Sequence, residues 1–260
     1  MTALDFGFSG IEAELWRLLF VMTRVGAALL AAPLFGAAAV PMQARVIVTG
    51  AVAVLICAWT PVVAPPALFS LAGLLAMAGE VLVGLALGFV LQLAFAAPAI
   101  AAEVIGGAMG MSIATAVDPV NGAHSPVIGQ YFSVLLVLVF LGLGAHLQWM
   151  ALVVDSYTAF PPGQTWLGSD RLSALTGFAT TMFATALAIA LPATLVLLLV
   201  QLLTGVLSRS APALNLFALG LPAGVLAGLA ALIVSAPLAA DRLAELSATA
   251  VEASAGLLAR

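Results

Sequence analysis

The chain has 260 residues, of which 64% are hydrophobic and only 7% are charged. Soluble domains carry about 25% charged residues, so this composition excludes an ordinary soluble enzyme and leaves most of the surface facing lipid or apolar protein. The net charge of −4, without any run of basic residues, gives no indication of nucleic-acid binding.

Long charge-free blocks divide the chain, and each can hold a membrane-crossing helix of about 20 residues. Backbone polar groups in lipid must be paired within their own segment, so each crossing segment is predicted to be helical. Proline and glycine mark the predicted ends. The predicted helices cover about residues 14–34, 41–60, 68–97, 99–115, 127–154, 172–207 and 213–238. The predicted fold class is all-α, a polytopic membrane protein with about six to seven long helices in hairpins.

Proline and polar residues interrupt this pattern at three places. Pro98 either kinks the third helix or begins a fourth. The stretch 116–125 is polar, and its Asp118–Pro119 and Asn121–Gly122 pairs are typical of turns. The tail, residues 240–260, is expected to form a short amphipathic or frayed helix.

Four charged residues lie at or inside the predicted spans: Arg17, Arg24, Glu80 and Glu103. A charge in hydrocarbon costs at least about 2.5–3.5 kcal/mol, so such groups usually pair, face a cavity or contact a partner. One interpretation is an ion or proton path, and the other is a structural pair or a contact between subunits. We favour the structural interpretation, because one acid per helix lacks the relay of several groups expected in a pump.

Glycine pairs spaced four residues apart allow close contact between helices. They are Gly84 with Gly88, Gly106 with Gly110, and Gly224 with Gly228. The pattern is weak evidence in a chain so rich in small residues.

The chemistry-bearing residues do not form a recognisable catalytic or metal-binding pattern. His124 and His146 are the only histidines, and neither has cysteine or carboxylate neighbours at metal-ligand spacing. Asp118, His124 and Ser125 match no known catalytic order. We therefore expect no enzyme activity, no cofactor and no metal.

Short sequence landmarks follow one another along almost the whole chain, from about Arg17 to Leu238. The opening landmarks are Arg24, Pro33–Leu34–Phe35–Gly36, Val40–Pro41 and Arg45. The middle landmarks are Glu80 with Gly84 and Gly88, Gly106 with Gly110, Asp118–Pro119, Gly144 with His146, and Ser156 with Pro161. The final landmarks are Ser208–Arg209, Pro212, Asn215, Phe217, Gly220 and Pro222. In this order they resemble the R subunit of the flagellar export gate, the FliR family, with its injectisome counterparts.

The resemblance implies a structural, pore-forming subunit of the flagellar type III protein export gate. Family members assemble with P-type and Q-type subunits and other export apparatus membrane proteins into a helical pore complex that passes unfolded proteins. It implies a multi-pass protein of the bacterial inner membrane, in the flagellar basal body. By the same likeness, residues 1–165 are P-like and residues 166–260 are Q-like.

The resemblance also implies roles for individual residues. The segment of about 110–125 resembles the loop that plugs the closed pore, and its flexible glycines suit backbone that lines a protein cavity. The implied plug residues are Gly110, Met111, Asp118, Pro119 and Asn121. The residues expected in structural or subunit contacts are Arg24, Arg45, Glu80, Glu103, Arg209 and Asn215.

Two alternative functions stay open at the level of sequence. The first is the equivalent subunit of a virulence injectisome, although the carboxyl-terminal landmarks lie closer to the flagellar branch. The second is a stand-alone secondary transporter, which should carry broken helices at matching positions of two halves. We see no convincing internal repeat and few buried polar groups, which disfavours the transporter.

Overall fold

The computed structural model of the chain describes residues 9–63, 70–111, 126–162, 168–210 and 216–259. Within these ranges every regular element is a helix, so the predicted all-α polytopic class is confirmed. The helices are α1 (Ser9–Ala31), α2 (Met42–Trp59), α3 (Leu71–Ala108), α4 (Pro126–Gly142), α5 (Ala145–Ala159), α6 (Ser169–Ser210) and α7 (Leu216–Ala259).

Helix length and apolarity identify the membrane-crossing elements. Among the described residues, α2, α3, α6 and α7 are each long and apolar enough to cross a bilayer. The broken pair α4 and α5 makes a fifth crossing if the two are counted together. Helix α1 does not qualify, because four charged residues interrupt it.

Proline limits some helices and leaves others unbroken. Helix α2 begins directly after Pro41 and ends at Trp59, two residues before Pro61. Helix α3, by contrast, continues through Pro98, so the third and fourth predicted helices are one helix of 38 residues. An interior proline removes one backbone hydrogen bond, which neighbouring groups in a membrane helix can replace.

The prediction of one helix over residues 127–154 is wrong, because the chain breaks between Gly142 and Ala145. Gly144 has φ 68°, a left-handed conformation that glycine adopts without the clash that a Cβ would cause. The prediction of a separate tail helix is also wrong. Helix α7 runs through Pro222 and Pro237 and ends at Ala259.

The contacts divide the chain into two compact units. Unit 1 consists of Met1–Leu93, Gly144–Phe178 and Ala250–Arg260. Its buried residues include Phe20, Val21 and Val25 of α1, Leu87 and Leu91 of α3, and Trp149, Val153 and Tyr157 of α5. Trp149 Nε1 donates to the Leu87 carbonyl at 3.2 Å, and its ring stacks on Phe35 at a centroid distance of 6.3 Å.

Unit 2 consists of Ala94–Leu143 and Ala179–Thr249. Small residues bury part of α3 and α6, among them Ala97, Ala101, Ala186, Ala190 and Ala193. Large side chains of α4, including Phe132, Leu136 and Phe140, are buried as well. Phe95 meets Phe140 edge to face at 5.5 Å, a favoured geometry for aromatic pairs.

Candidate functional site

A buried ion pair joins α1 to α3 inside unit 1. Arg24 Nε donates to Glu80 Oε2 at 2.8 Å, and Arg24 Nη2 donates to Oε1 at 2.8 Å. The two side chains are 1% and 3% exposed. Two parallel N–H···O bonds are the strongest arrangement of a guanidinium and a carboxylate. Each charge therefore has its counter-charge within the protein.

The remaining Arg24 donors bind the carboxyl end of α5. Nη1 donates to the Ser156 carbonyl at 2.7 Å and to Ser156 Oγ at 3.1 Å, and Nη2 donates to the Phe160 carbonyl at 2.9 Å. The carboxyl end of a helix carries partial negative charge, so a cation stabilises it. Arg24 thus links α1 to both α3 and α5.

Tyr157 covers one face of the guanidinium. Its ring centroid lies 4.2 Å from Arg24 Cζ, within the range of a cation–π contact. Its hydroxyl donates to the Val21 carbonyl of α1 at 2.6 Å. A guanidinium has five N–H donors, and all five of Arg24 are used. The geometry therefore suits a structural clamp, because no donor is left for a transported ion or a substrate.

Two glycines of α3 make room for this clamp. A Cβ on Gly84 would lie 2.2 Å from the Arg24 carbonyl oxygen, and one on Gly88 would lie 2.6 Å from the Ala28 carbonyl oxygen. Backbones can approach this closely only where side chains are absent. The pair at 84 and 88 therefore sets the distance between α1 and α3.

Two further arginines bind backbone carbonyls in unit 1. Arg17 Nη2 donates to the carbonyls of Cys57 and Thr60, at 2.8 and 2.9 Å, and so caps the carboxyl end of α2. Arg45 Nη2 donates to the Ala37 carbonyl in the turn that connects α1 to α2. Both contacts place the charge of an arginine on a backbone carbonyl.

The carboxyl end of α3 is held inside unit 2. Met109 follows the last residue of α3 and is 3% exposed. A Cβ on Gly228 of α7 would lie 2.5 Å from Met109 Cγ, and one on Gly224 would lie 3.2 Å from the Met109 carbonyl oxygen. Gln201 Nε2 of α6 donates to the Ala108 carbonyl at 2.7 Å. We name Ala108, Met109 and Gly110 the α3 exit.

The α3 exit borders a cavity of about 300 Å³ inside unit 2. Its lining is mostly apolar or small, with polar groups from Gln201 and Thr204. Gly110 has φ 82°, so the chain turns sharply as it leaves the helix, and glycine permits this turn. The Met111 amide donates to the Gly106 carbonyl at 3.0 Å, which closes the turn.

The structure describes only some of the residues expected in the plug and in contacts. Gly110 and Met111 lie at the α3 exit, whereas Asp118, Pro119, Asn121 and Asn215 fall outside the described residues. Glu103 of α3 and Arg209 of α6 are exposed. The structure brings Arg24 to Glu80, and Arg45 to the turn at Ala37.

Sequence reasoning missed several members of both sites. Ser156, Tyr157 and Phe160 join the Arg24 clamp, but two of these contacts use backbone carbonyls, which every residue possesses. Gln201 was a visible signal, since it is a polar side chain in an apolar helix. Within the described ranges, no group of three or more His, Cys, Asp or Glu residues could hold a metal ion.

Comparison with known proteins gives matches along most of the chain. Residues 15–250 match the family described as "Bacterial export proteins, family 1". The chain is 34% identical to flagellar biosynthetic protein FliR of Escherichia coli (strain K12) over 232 residues, 89% of this chain and 87% of that protein. It is 33% identical to FliR of Bacillus subtilis (strain 168) over 220 residues, 83% and 84% of the two chains. It is 32% identical over 142 residues to surface presentation of antigens protein SpaR of Shigella flexneri, 55% of each chain.

Proposed function

This chain belongs to the bacterial export proteins, family 1, and we propose that it is a pore-forming subunit of the flagellar protein export gate. It is a multi-pass inner membrane protein of the flagellar export apparatus. Members of this family are structural and transport components of the export apparatus. The finer proposal concerns the pore, the subunits that complete it and the residues that close it.

The exposed apolar face of α6 carries this proposal. Large apolar side chains are exposed along α6 from Phe183 to Leu207, including Leu199, Leu202 and Val206 at 62–66%. At a rise of about 1.5 Å per residue this stretch extends over roughly 36 Å, whereas the hydrocarbon core of a bilayer is about 30 Å thick. This stretch is longer than the hydrocarbon core, so an upright helix leaves part of it outside the lipid tails. Other protein subunits are therefore the natural cover for part of it.

We assign that cover to P-type and Q-type export gate subunits, together with other membrane proteins of the export apparatus. The proposal keeps the division of the chain into a P-like part, residues 1–165, and a Q-like part, residues 166–260. A chain with a P-like part and a Q-like part could pack beside those subunits in the same helical arrangement. The pore so formed would pass unfolded flagellar proteins across the inner membrane.

The segment of about 110–125 is proposed to plug the closed pore. It starts at the α3 exit, where Gly110 turns the chain away from a buried, well-packed helix end. The remaining contact residues of this proposal are Arg24, Arg45, Glu80, Glu103, Arg209 and Asn215, of which Arg24, Arg45 and Glu80 make contacts within the subunit.

Co-purification tests the subunit proposal. Leu202→Trp and Val206→Trp enlarge the exposed face of α6 without adding charge. Fluid lipid accommodates a larger apolar side chain, but a packed subunit does not. We expect unchanged amounts of the variant in the membrane and loss of co-purifying P- and Q-type subunits. Leu202→Ile keeps the volume and serves as the control. Full co-purification with both Trp variants would count against subunits on this face.

Deletion of Met111–Ala123 tests the plug. The assembled complex should form in normal amount and conduct ions across the membrane, whereas the parent complex should not. A deletion complex that conducts no more than the parent would show that another segment closes the pore.

An injectisome subunit is the second candidate, because SpaR of Shigella flexneri is 32% identical over 142 residues. The match covers 55% of this chain, against 89% for FliR of Escherichia coli, which favours the flagellar system. Restoration of motility in a strain that lacks its own FliR, without restoration of effector secretion in a strain that lacks SpaR, is the expected result.

A further inference from the structure

We propose that Gln201 of α6 and the glycine pair Gly224 and Gly228 of α7 are positioning residues that fix the α3 exit. They would determine where the chain leaves α3 and hence where the following segment begins. This inference rests on the proposed plug, since the positions matter for function only if the segment after Gly110 closes the pore.

The Met109 side chain is the anchor of the α3 exit. It lies directly against Gly228, where a Cβ would come within 2.5 Å of Cγ, 2.7 Å of Sδ and 2.8 Å of Cε. All three distances are shorter than van der Waals contact, so any larger residue at position 228 must displace Met109. Thioethers fill irregular apolar gaps well, and the notch left by Gly228 is such a gap.

Gly224 lies one turn before Gly228 and meets the backbone of the same residue. A Cβ there would lie 3.2 Å from the Met109 carbonyl oxygen. Residues four apart share one face of a helix, so the two glycines together form one groove for Met109. The groove therefore receives the backbone as well as the side chain.

Gln201 holds the exit from the neighbouring helix. Its amide donates to the Ala108 carbonyl, one of the last carbonyls of α3, which lack intrahelical partners. This single neutral hydrogen bond is the one polar side-chain contact found on Ala108 and Met109 within the described residues. A hydrogen bond between two neutral groups is weak enough to break and re-form while it holds the end of α3 in place.

Gly110 then sets the direction of the outgoing chain. Its φ of 82° favours glycine, and a Cβ there would lie 2.8 Å from Leu221 Cδ2 of α7. Met109 in its groove, Ala108 bonded to Gln201 and Gly110 against Leu221 are three successive residues held by α6 and α7.

The test uses the complete export complex carrying Gly228→Ala, with Gly142→Ala as the control. Gly142 ends α4 in the same unit, and a Cβ there would meet nothing within 4 Å. Two quantities are measured. One is oxidation of Met109 to the sulfoxide by hydrogen peroxide, followed by mass spectrometry, which reports whether Met109 leaves its groove. The other is ion conductance of the assembled complex.

We expect Gly228→Ala to raise the rate of Met109 oxidation at least several-fold and to raise conductance, while Gly142→Ala changes neither. Faster oxidation without conductance would overturn the positioning role, and so would the absence of both effects. The deletion of Met111–Ala123 separates the two proposals. If the deletion conducts and Gly228→Ala does not, only the positioning inference fails; if the deletion does not conduct, the plug itself fails.

A second variant covers the case in which Gly228→Ala lowers the amount of assembled complex. Gln201→Leu keeps the approximate size of an exposed side chain and removes the hydrogen bond to Ala108. It should also raise conductance, and combining it with Met109→Ala should add less than the sum of the two single effects, because both act on one contact network. Strict additivity would contradict a shared anchor.

Discussion

Arg24 and Glu80 lie 56 positions apart in the chain and meet as a buried ion pair joined by two hydrogen bonds of 2.8 Å. The pair connects α1 to α3, and the remaining donors of Arg24 connect both to the end of α5. The pair stabilises the fold only while both charges are present, because a buried charge without its partner is far more costly than no charge at all.

Removal of one partner should therefore do more damage than removal of both. Arg24→Met leaves the Glu80 carboxyl buried without a counter-charge, a change that typically costs about 3–5 kcal/mol. Arg24→Met with Glu80→Met removes both charges and fills the space, so its loss should be clearly smaller. The fraction of monodisperse export complex left after heating measures the difference.

The control for this pair is Arg242→Met, which breaks the exposed contact with Glu245. That pair is 45% and 65% exposed, and solvent-exposed ion pairs contribute little. Equal losses in the single and double variants at Arg24 would contradict the argument from unpaired charge.

Gly84→Ala should separate α1 from α3. The added Cβ would lie 2.2 Å from the Arg24 carbonyl oxygen, so the backbones must move apart, and overpacking of this kind costs about 1–3 kcal/mol. Gly79→Ala on the same helix meets nothing within 4 Å and should leave the melting temperature unchanged or raise it. Similar melting temperatures for the two variants would refute the close approach.

Tyr157→Phe should lower stability modestly. The substitution keeps the ring against Arg24 and removes the hydroxyl that donates to the Val21 carbonyl, which is worth about 0.5–1.5 kcal/mol. Tyr131→Phe changes a residue that is 46% exposed and should have no measurable effect on thermal unfolding. A neutral result at position 157 would mean that the hydroxyl contributes nothing.

Gly144→Ala should destabilise the break between α4 and α5. Its φ of 68° places an alanine in the left-handed region, at a cost of about 1–2 kcal/mol. Gly142→Ala, two residues earlier, adds a Cβ in open space to the end of α4 and should be neutral or slightly stabilising. Thermal unfolding of the two variants checks the order, and the reverse order would show that the break does not depend on Gly144.

Much of the fold follows from physical chemistry that sequence displays directly. Charge-free blocks locate the long helices, because only apolar helices are stable in hydrocarbon. Pro41 and Pro61 mark the limits of α2 to within two residues. The sequence left open whether Pro98 lies inside one helix or between two, since a proline in a membrane helix and a proline between two helices look alike in sequence. The break at Gly144 was missed because it lies in an unbroken apolar run, where glycine is common.

Some residues of the two sites could likewise be predicted from sequence, and others could not. Arg24 and Glu80 are visible in the sequence because charged residues are rare in apolar blocks. Pairing is one of the few ways in which a protein can accommodate such charges. The Ser156 and Phe160 carbonyls could not be identified, because backbone acceptors carry no residue signature. The glycines at 224 and 228 had the spacing of a close contact, but sequence gave no indication that Met109 is the residue they receive.

The clamp around Arg24 also imposes an order in time. Ser156 lies 132 positions after Arg24, so at about 5–20 residues per second of synthesis the guanidinium waits roughly 7–26 s for its last partners. During this interval water must solvate the donors that still lack partners, so we expect α1 to rest at the membrane surface until α3 and α5 arrive. Ribosome-arrested chains that end before Glu80 should therefore leave α1 open to a water-soluble labelling reagent, and chains that extend past Phe160 should protect it. The subunit would then complete its fold around Arg24 only after α3 and α5 have been synthesised.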